Sequence, residues 1–393
     1  MTVSGNSSAA ALQPEQYHHL FPHVAEGGIY MNHAALGPIP TVVMQAVRRA
    51  LENRQTGGID SFDQELPVLN ETRERLSRLI GAEGGHQIAF MHNTTTALNM
   101  IAGGLDLQEG DEVLLFEQEF PSNVYPWLTQ QRRGLRPRFI PSENGCFSLD
   151  DIAARLTPNT RVLALSAVQF LSGFRAPLPE ICELCHRNGV LVIADGIQAS
   201  GIVPIDVARS GVDAYCSGAH KWLLSPQGIG FMYLRDALRD RLQLTGKGWL
   251  SVEDIWDLFN FEQENYADMK RFEGGTYNIP AVFGLCESLK LLEKVGIDRI
   301  RRHVLGLHHI IEKPLREAGC RLYGSEEEDF RAGIITFGLP ESVSAGQVQQ
   351  ALEREQVYAS VRNQKLRFSP FFYTTEAQAE RAAAAVLEVL RKS

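Results

Sequence analysis

The stretch Val190-Leu191-Val192-Ile193-Ala194-Asp195-Gly196-Ile197-Gln198 decides how this chain is read. An apolar, partly β-branched run meets an acid at its end. Such a run reads as a buried parallel strand whose C-terminal edge carries function. A second run, Ala214-Tyr215-Cys216, ends at Ser217-Gly218-Ala219-His220-Lys221-Trp222. A third, residues 229–234, follows the turn Pro226-Gln227-Gly228.

An acid and a lysine at neighbouring strand ends are what pyridoxal phosphate (PLP) chemistry needs. Lys221 would hold the cofactor covalently as a Schiff base. Asp195 would keep the ring nitrogen protonated, so that the ring can accept carbanion electrons. A structural lysine and an ordinary strand-end cap would explain either residue alone. They do not explain the combination of the strand-end Asp, Gln198 three residues on and Ser-Gly-Ala-His-Lys one strand later.

Working outward, apolar runs alternate with helical spacing. Residues 87–91, 111–116, 138–140 and 162–168 read as strands, and 41–54, 62–80, 97–103, 149–156 and 178–188 as helices, the second interrupted early by Pro67. This alternation predicts an α/β fold with a mostly parallel sheet. After the strand at 87–91 comes His92-Asn93-Thr94-Thr95-Thr96. Threonine hydroxyls and free amides at a helix N-terminus donate to phosphate oxygens, and three threonines exceed what one cap requires. Beyond residue 234 the strands become shorter, which suggests a separate α+β C-terminal domain. The expected division is an N-terminal segment, 1–30, packing near the small domain, a large cofactor-binding domain, 31–280, and a small domain, 281–393.

The chain has 393 residues, 44% hydrophobic and 22% charged, with a net charge of −9. It carries no long basic run, so nucleic acid or a membrane surface has no electrostatic support as a partner. No stretch approaches the ~20 apolar residues of a membrane helix, and the N-terminus does not resemble a secretory signal. Six cysteines make no disulfide framework, and the cytoplasm is the expected compartment. Cys182-Glu183-Leu184-Cys185-His186 spells a haem c attachment string, but it lies within an amphipathic helix and no export signal accompanies it. His303, His308 and His309 do not have a spacing that converges on a metal, so no metal site is expected.

The sequence resembles the class V aminotransferase superfamily of fold-type I PLP enzymes over nearly its whole length, from Tyr30 to about Leu390. It is most similar to the isopenicillin N epimerase-like branch. The resemblance rests on the Lys221 stretch, on Asn32-His33-Ala34-Ala35-Leu36-Gly37-Pro38, Phe120-Pro121-Ser122-Asn123 and Val168-Gln169-Phe170, and on Leu366-Arg367-Phe368-Ser369-Pro370. It implies a large domain with a seven-stranded sheet, a small C-terminal domain and a homodimer with shared sites. Lys221 would be the catalytic base. Asp195 would bind the ring nitrogen and Gln198 the phenolic oxygen. Thr94, Thr95, Ser217 and His220 would hold the phosphate, with Thr276 reaching from the neighbouring subunit. Phe120 falls where desulfurases stack a histidine on the ring. Arg367 would clamp the substrate carboxylate, with Asn32, His33, Gln169 and Arg175 on the substrate side.

One departure bears on the reaction. Desulfurases carry a catalytic cysteine shortly before the position of Arg367, but residues 358–366 read YASVRNQKL. Persulfide formation on the enzyme is therefore not expected. Three readings remain: an aminotransferase or epimerase working by proton transfer at Cα, a cysteine-independent C–S β-lyase, and a non-catalytic PLP-binding protein.

Overall fold

In the computed structural model, which describes residues 11–57, 62–362 and 364–392, the apolar runs form one seven-stranded sheet. A short strand β1 (Ile29–Tyr30) precedes it. The sheet strands are β2 (Ile88–Met91), β3 (Glu112–Phe116), β4 (Arg136–Ile140), β5 (Thr160–Ser166), β6 (Leu191–Asp195), β7 (Ala214–Gly218) and β8 (Gly230–Leu234), in the order β2-β8-β7-β6-β5-β3-β4. β8 is antiparallel to both its neighbours, and all other pairs are parallel. Only β8 therefore runs against the rest. The loops leaving β2, β3, β5, β6 and β7 gather along one edge, where open α/β sheets bind ligands.

The strands read as continuous apolar runs because both faces of the sheet are covered. Successive side chains point to opposite faces. Leu114, Phe116, Leu163, Leu165 and Val192 enter one core, and Val113, Leu115, Val162, Ala164 and Ile193 the other. Helices α1 (Thr41–Thr56), α2 (Phe62–Ile80) and α5 (Ile279–Val295) share the first core, and α3 (Thr94–Gly104) lies in the second. α4 (Leu178–Arg187) carries Cys182 and Cys185 buried in the first core, while His186 pairs with Asp213. Pro67 does not interrupt α2. It falls near the helix start, and Leu69, Leu76 and Ile80 beyond it are buried, which offsets the lost backbone hydrogen bond.

A third core lies past α6 (Ile297–Glu317). It joins α7 (Ala345–Arg354), α8 (Glu376–Leu390) and a four-stranded antiparallel sheet. The short strands are β9 (Arg321–Leu322), β10 (Ile335–Gly338), β11 (Val357–Tyr358), β12 (Ser360–Arg362) and β13 (Lys365–Phe368), with the sheet order β12-β13-β10-β9. β1 pairs in parallel with β11, so the N-terminal segment is stitched to this region, while its residues 1–10 lie outside the described residues. α6 contributes Ile300 and Val304 to the first core and Leu307, Ile311 and Leu315 to the third, a rigid link between them. No helix among the described residues is long and apolar enough to cross a membrane.

A buried ion pair ties three elements together. The Arg73 Nη2 of α2 donates to Glu273 Oε2 at 2.6 Å, and the Phe90 amide of β2 donates to Glu273 Oε1 at 2.6 Å. Tyr277 donates its hydroxyl to the same carboxylate, and the guanidinium lies 4.6 Å from the Phe90 ring centroid. Arg73→Met would leave a buried carboxylate without its cation. Its expected cost is about 3–5 kcal/mol, read as a lower denaturant midpoint with an unchanged m-value. An unchanged midpoint would contradict this account of the pair.

Candidate active site

The edge formed by β2, β3, β5, β6 and β7 opens into a cleft of about 380 Å³, whose lining includes Thr94, Thr95, Phe120, Asp195, Gln198, His220, Lys221 and Arg367. All but Arg367 arrive at or just past the ends of β2, β3, β6 and β7, and Arg367 comes from β13. Asp195 closes β6, and its Oδ1 accepts from the Ile197 amide at 2.9 Å. Among the described residues no hydrogen bond to Oδ2 is present. Burial raises this carboxyl to about 6, although Lys221 pulls the other way. Lys221 follows β7 and is nine-tenths buried. Burial pushes its ammonium down to about 8, with Asp195 opposing and Arg367 reinforcing the drop.

The backbone around Lys221 is pinned. The Gly37 amide donates to the His220 carbonyl at 2.8 Å, and a Cβ on Gly37 would meet the Lys221 carbonyl at 2.1 Å. Only glycine allows this approach. Gln198 donates from Nε2 to Ala34 O and accepts from Trp222 Nε1, both at 2.9 Å. The segment 34–37 is thus clamped over the lysine loop.

At the far side, Asn93 caps α3, its Oδ1 accepting from Thr96 N. Thr94–Thr96 therefore form the first helical turn, not a turn ahead of the helix, because the asparagine already satisfies the cap. The Thr94 hydroxyl accepts from Gly218 N at 2.8 Å, and Thr95 donates to Ser122 Oγ at 2.9 Å. Unpaired first-turn amides with the helix dipole favour an anion here. Phe120 is 41% exposed, with Lys221 Nζ 5.6 Å from its centroid and Phe170 edge-on at 5.4 Å. Behind Asp195, Glu119 accepts from Ser166 N at 2.6 Å and Ser166 Oγ at 2.5 Å. Burial, with Asp195 adding to it, raises this carboxyl to about 7.

The third core supplies the opposite wall. Arg367 on β13 donates from Nη1 to the Phe170 carbonyl at 2.7 Å and from Nη2 to Ser360 Oγ at 3.4 Å. Ser360 in turn donates to Asn32 Oδ1 at 2.7 Å, so Asn32 acts on the cleft through Ser360.

Several expected site residues stand elsewhere, which corrects their placement. His33 is fully buried, stacked on Trp222 and bonded to Ser369 O and Tyr373, so it packs the core behind the cleft. Gln169 spends its amide on Gln118 O, Leu171 N and Ser172 N, and shapes the loop after β5. Arg175 turns to Pro204 O and lines a different cleft, because the chain after Gly173 pairs back onto Val168. Ser217 lies inside β7, fully buried, its hydroxyl bonded to Gly218 O. Thr276, expected to act on the neighbouring subunit's site and so not among these corrections, is exposed in a separate cleft of about 170 Å³ beside Glu273 and Gly228. Asn93, Ser122, Ser360 and Lys365 went unassigned from sequence. Lys365-Leu366-Arg367-Phe368 carries a two-residue alternation that marks a half-buried strand with both cations on one face.

Residues 29–363 match the family described as aminotransferase class-V. The chain belongs to this family. It is 28% identical to the isopenicillin N epimerase of Streptomyces clavuligerus over 91% of this chain and 94% of that one. It is also 28% identical to a probable cysteine desulfurase of Halalkalibacterium halodurans, over 79% and 77% of the two chains. Among solved structures, the cystine C–S lyase C-DES in complex with its product cysteine persulfide superposes with a TM-score of 0.85 at 25% identity, covering 94% of this chain and 99% of that one. The α/β fold with a mostly parallel large sheet and an α+β C-terminal region is the fold of these enzymes.

The donor set in the cleft fits pyridoxal phosphate. Asp195 is a buried acid with one oxygen left for a ring nitrogen, Phe120 offers an uncovered ring face, and the start of α3 offers amides for a phosphate. The depressed Lys221 gives a testable pH dependence. Capture of added cofactor by the apoprotein, followed by absorbance, is expected to rise with pH around a midpoint near 8. A midpoint near the ordinary lysine value of 10.5 would contradict the burial argument.

Proposed function

We propose that this enzyme acts at the Cα of an amino acid, with Lys221 moving the proton. The cofactor is pyridoxal 5'-phosphate. When bound, it supplies an electron-poor ring that stabilises negative charge at the substrate Cα. The observation that carries the reading is the juxtaposition in one cleft of a buried, neutral-prone lysine, a buried acid and an arginine from the opposite wall.

Lys221 would hold the cofactor, and its amine, depressed by burial, is a base of suitable strength near neutral pH. Asp195 would pair with the ring nitrogen. Thr94, Thr95 and the first amides of α3 would hold the phosphate, with His220 beside them in the cleft. Gln198 has a second amide proton to offer the ring's phenolic oxygen. Arg367, oriented by the Phe170 carbonyl and Ser360, takes the substrate carboxylate and so fixes which bond at Cα faces Lys221. Phe120 would cover the ring and exclude water, but it has no nitrogen with which to move a proton. Return of a proton to Cα would complete exchange or epimerisation, and its delivery away from Cα would give transamination.

The second reading is a cysteine-independent C–S β-lyase. It is favoured by the likeness to C-DES and by the absence of cysteine from residues 358–366. The cysteines lie outside the cleft lining, and Cys320 is in the third core. The working assembly is a homodimer, in which the exposed Thr276 turn would meet the neighbouring subunit's phosphate site. The free cysteines fit a reducing, cytoplasmic setting.

Exchange at Cα in D2O, followed by proton NMR over a panel of amino acids, tests the common step. The expected result is loss of the Cα proton signal with wild type, and a rate about 10²–10⁴-fold lower with Lys221→Ala. Absence of exchange across the panel would sink the reading and leave a cofactor-binding protein. Pyruvate with sulfide would select the lyase, a keto acid the aminotransferase and a D-amino acid the epimerase.

A further inference from the structure

We propose that Lys365 makes the substrate end of the cleft a site for amino acids with a second anionic group on the side chain. This rests on the reading of the cleft as an amino-acid site. It adds a substrate class that the cofactor residues do not specify.

The backbone places the lysine. Lys365 and Arg367 are alternate residues of β13, with Leu366 and Phe368 between and beyond them buried in the third core. Residues two apart on a strand share a face and stand about 6–7 Å apart. Both side chains line the cleft. Arg367 alone accounts for one carboxylate. Lys365 is a second cation one step further along the same wall.

The surroundings leave that charge for a ligand. Lys365 Nζ lies 4.8 Å from the Tyr323 ring centroid, and the Tyr323 hydroxyl is bonded to Gln118. The ring is thus a fixed platform that orients the ammonium without neutralising it. Among the described residues no carboxylate comes within 4.0 Å of Lys365. Among the described residues the cleft lining holds one acid, Asp195, on the sheet edge at the end of β6. Lys221, Lys365 and Arg367 therefore outnumber the acids lining the cleft. A side-chain oxyanion would complete the wall, and a neutral amide of the same shape would gain only an uncharged contact.

The test uses the holoenzyme and its visible cofactor band. L-aspartate and L-glutamate are titrated against their neutral isosteres L-asparagine and L-glutamine at low salt, and dissociation constants are read from the spectral change. The expected preference for the acids is about tenfold or more. It should fall towards one in Lys365→Met, survive in Lys365→Arg and shrink as salt is raised. Equal affinity for acids and amides in wild type would overturn the proposal, as would a preference that persists in Lys365→Met. A protein that acquires no cofactor band, or whose band no amino acid perturbs, would instead remove the underlying reading of the site. Retention of the band in Lys365→Met separates altered specificity from misfolding.

Discussion

The cleft depends on holding two opposite charges out of water at neighbouring strand ends. Asp195 and Lys221 are both nine-tenths buried or more, and each is driven towards its neutral form, the acid to about 6 and the amine to about 8. Such groups are costly to bury and persist only where the surroundings fix their separation. Here the parallel pairing of β6 with β7 does so, with Asp195 set opposite Cys216 in register. Glu119, raised to about 7 behind them, adds a third group poised near neutrality. A site in which several protons bind with similar affinity is suited to moving one at small cost.

A second constraint comes from the third core. β13 buries Leu366 and Phe368, so its other face must turn Lys365 and Arg367 into the cleft. The bond from Arg367 to the Phe170 carbonyl then ties this wall to the loop after β5. α6 runs through both cores and holds the walls at a set distance. The width of the cleft is therefore a packing outcome. In the proposed function, substrate choice resides in this wall and cofactor binding in the sheet edge.

The sheet-edge half of the cleft was legible because its residues follow strands that announce themselves. Asp195, Lys221, Thr94 and Phe120 each stand at or just past the end of an apolar run, and a parallel sheet delivers such positions to one edge. The residues that moved away are those whose location depends on a loop. Gln169 and Arg175 sit in a segment that folds back on Val168, so six residues of chain span two different clefts. His33 lies next to a residue that does reach the site, yet it is buried against Trp222 and Tyr373.

The sequence by itself determined the fold class, the cofactor and the loss of the loop cysteine. These follow from strand periodicity, from residue types that PLP chemistry requires and from a plain reading of residues 358–366. Only the tertiary structure decided which polar side chains face the cleft and that the strand bearing Lys365 and Arg367 stands opposite the sheet edge. Those outcomes depend on hydrogen bonds and packing between segments far apart in the chain. Ser360 to Asn32 and Arg367 to Phe170 span 328 and 197 residues, distances at which local spacing carries no information.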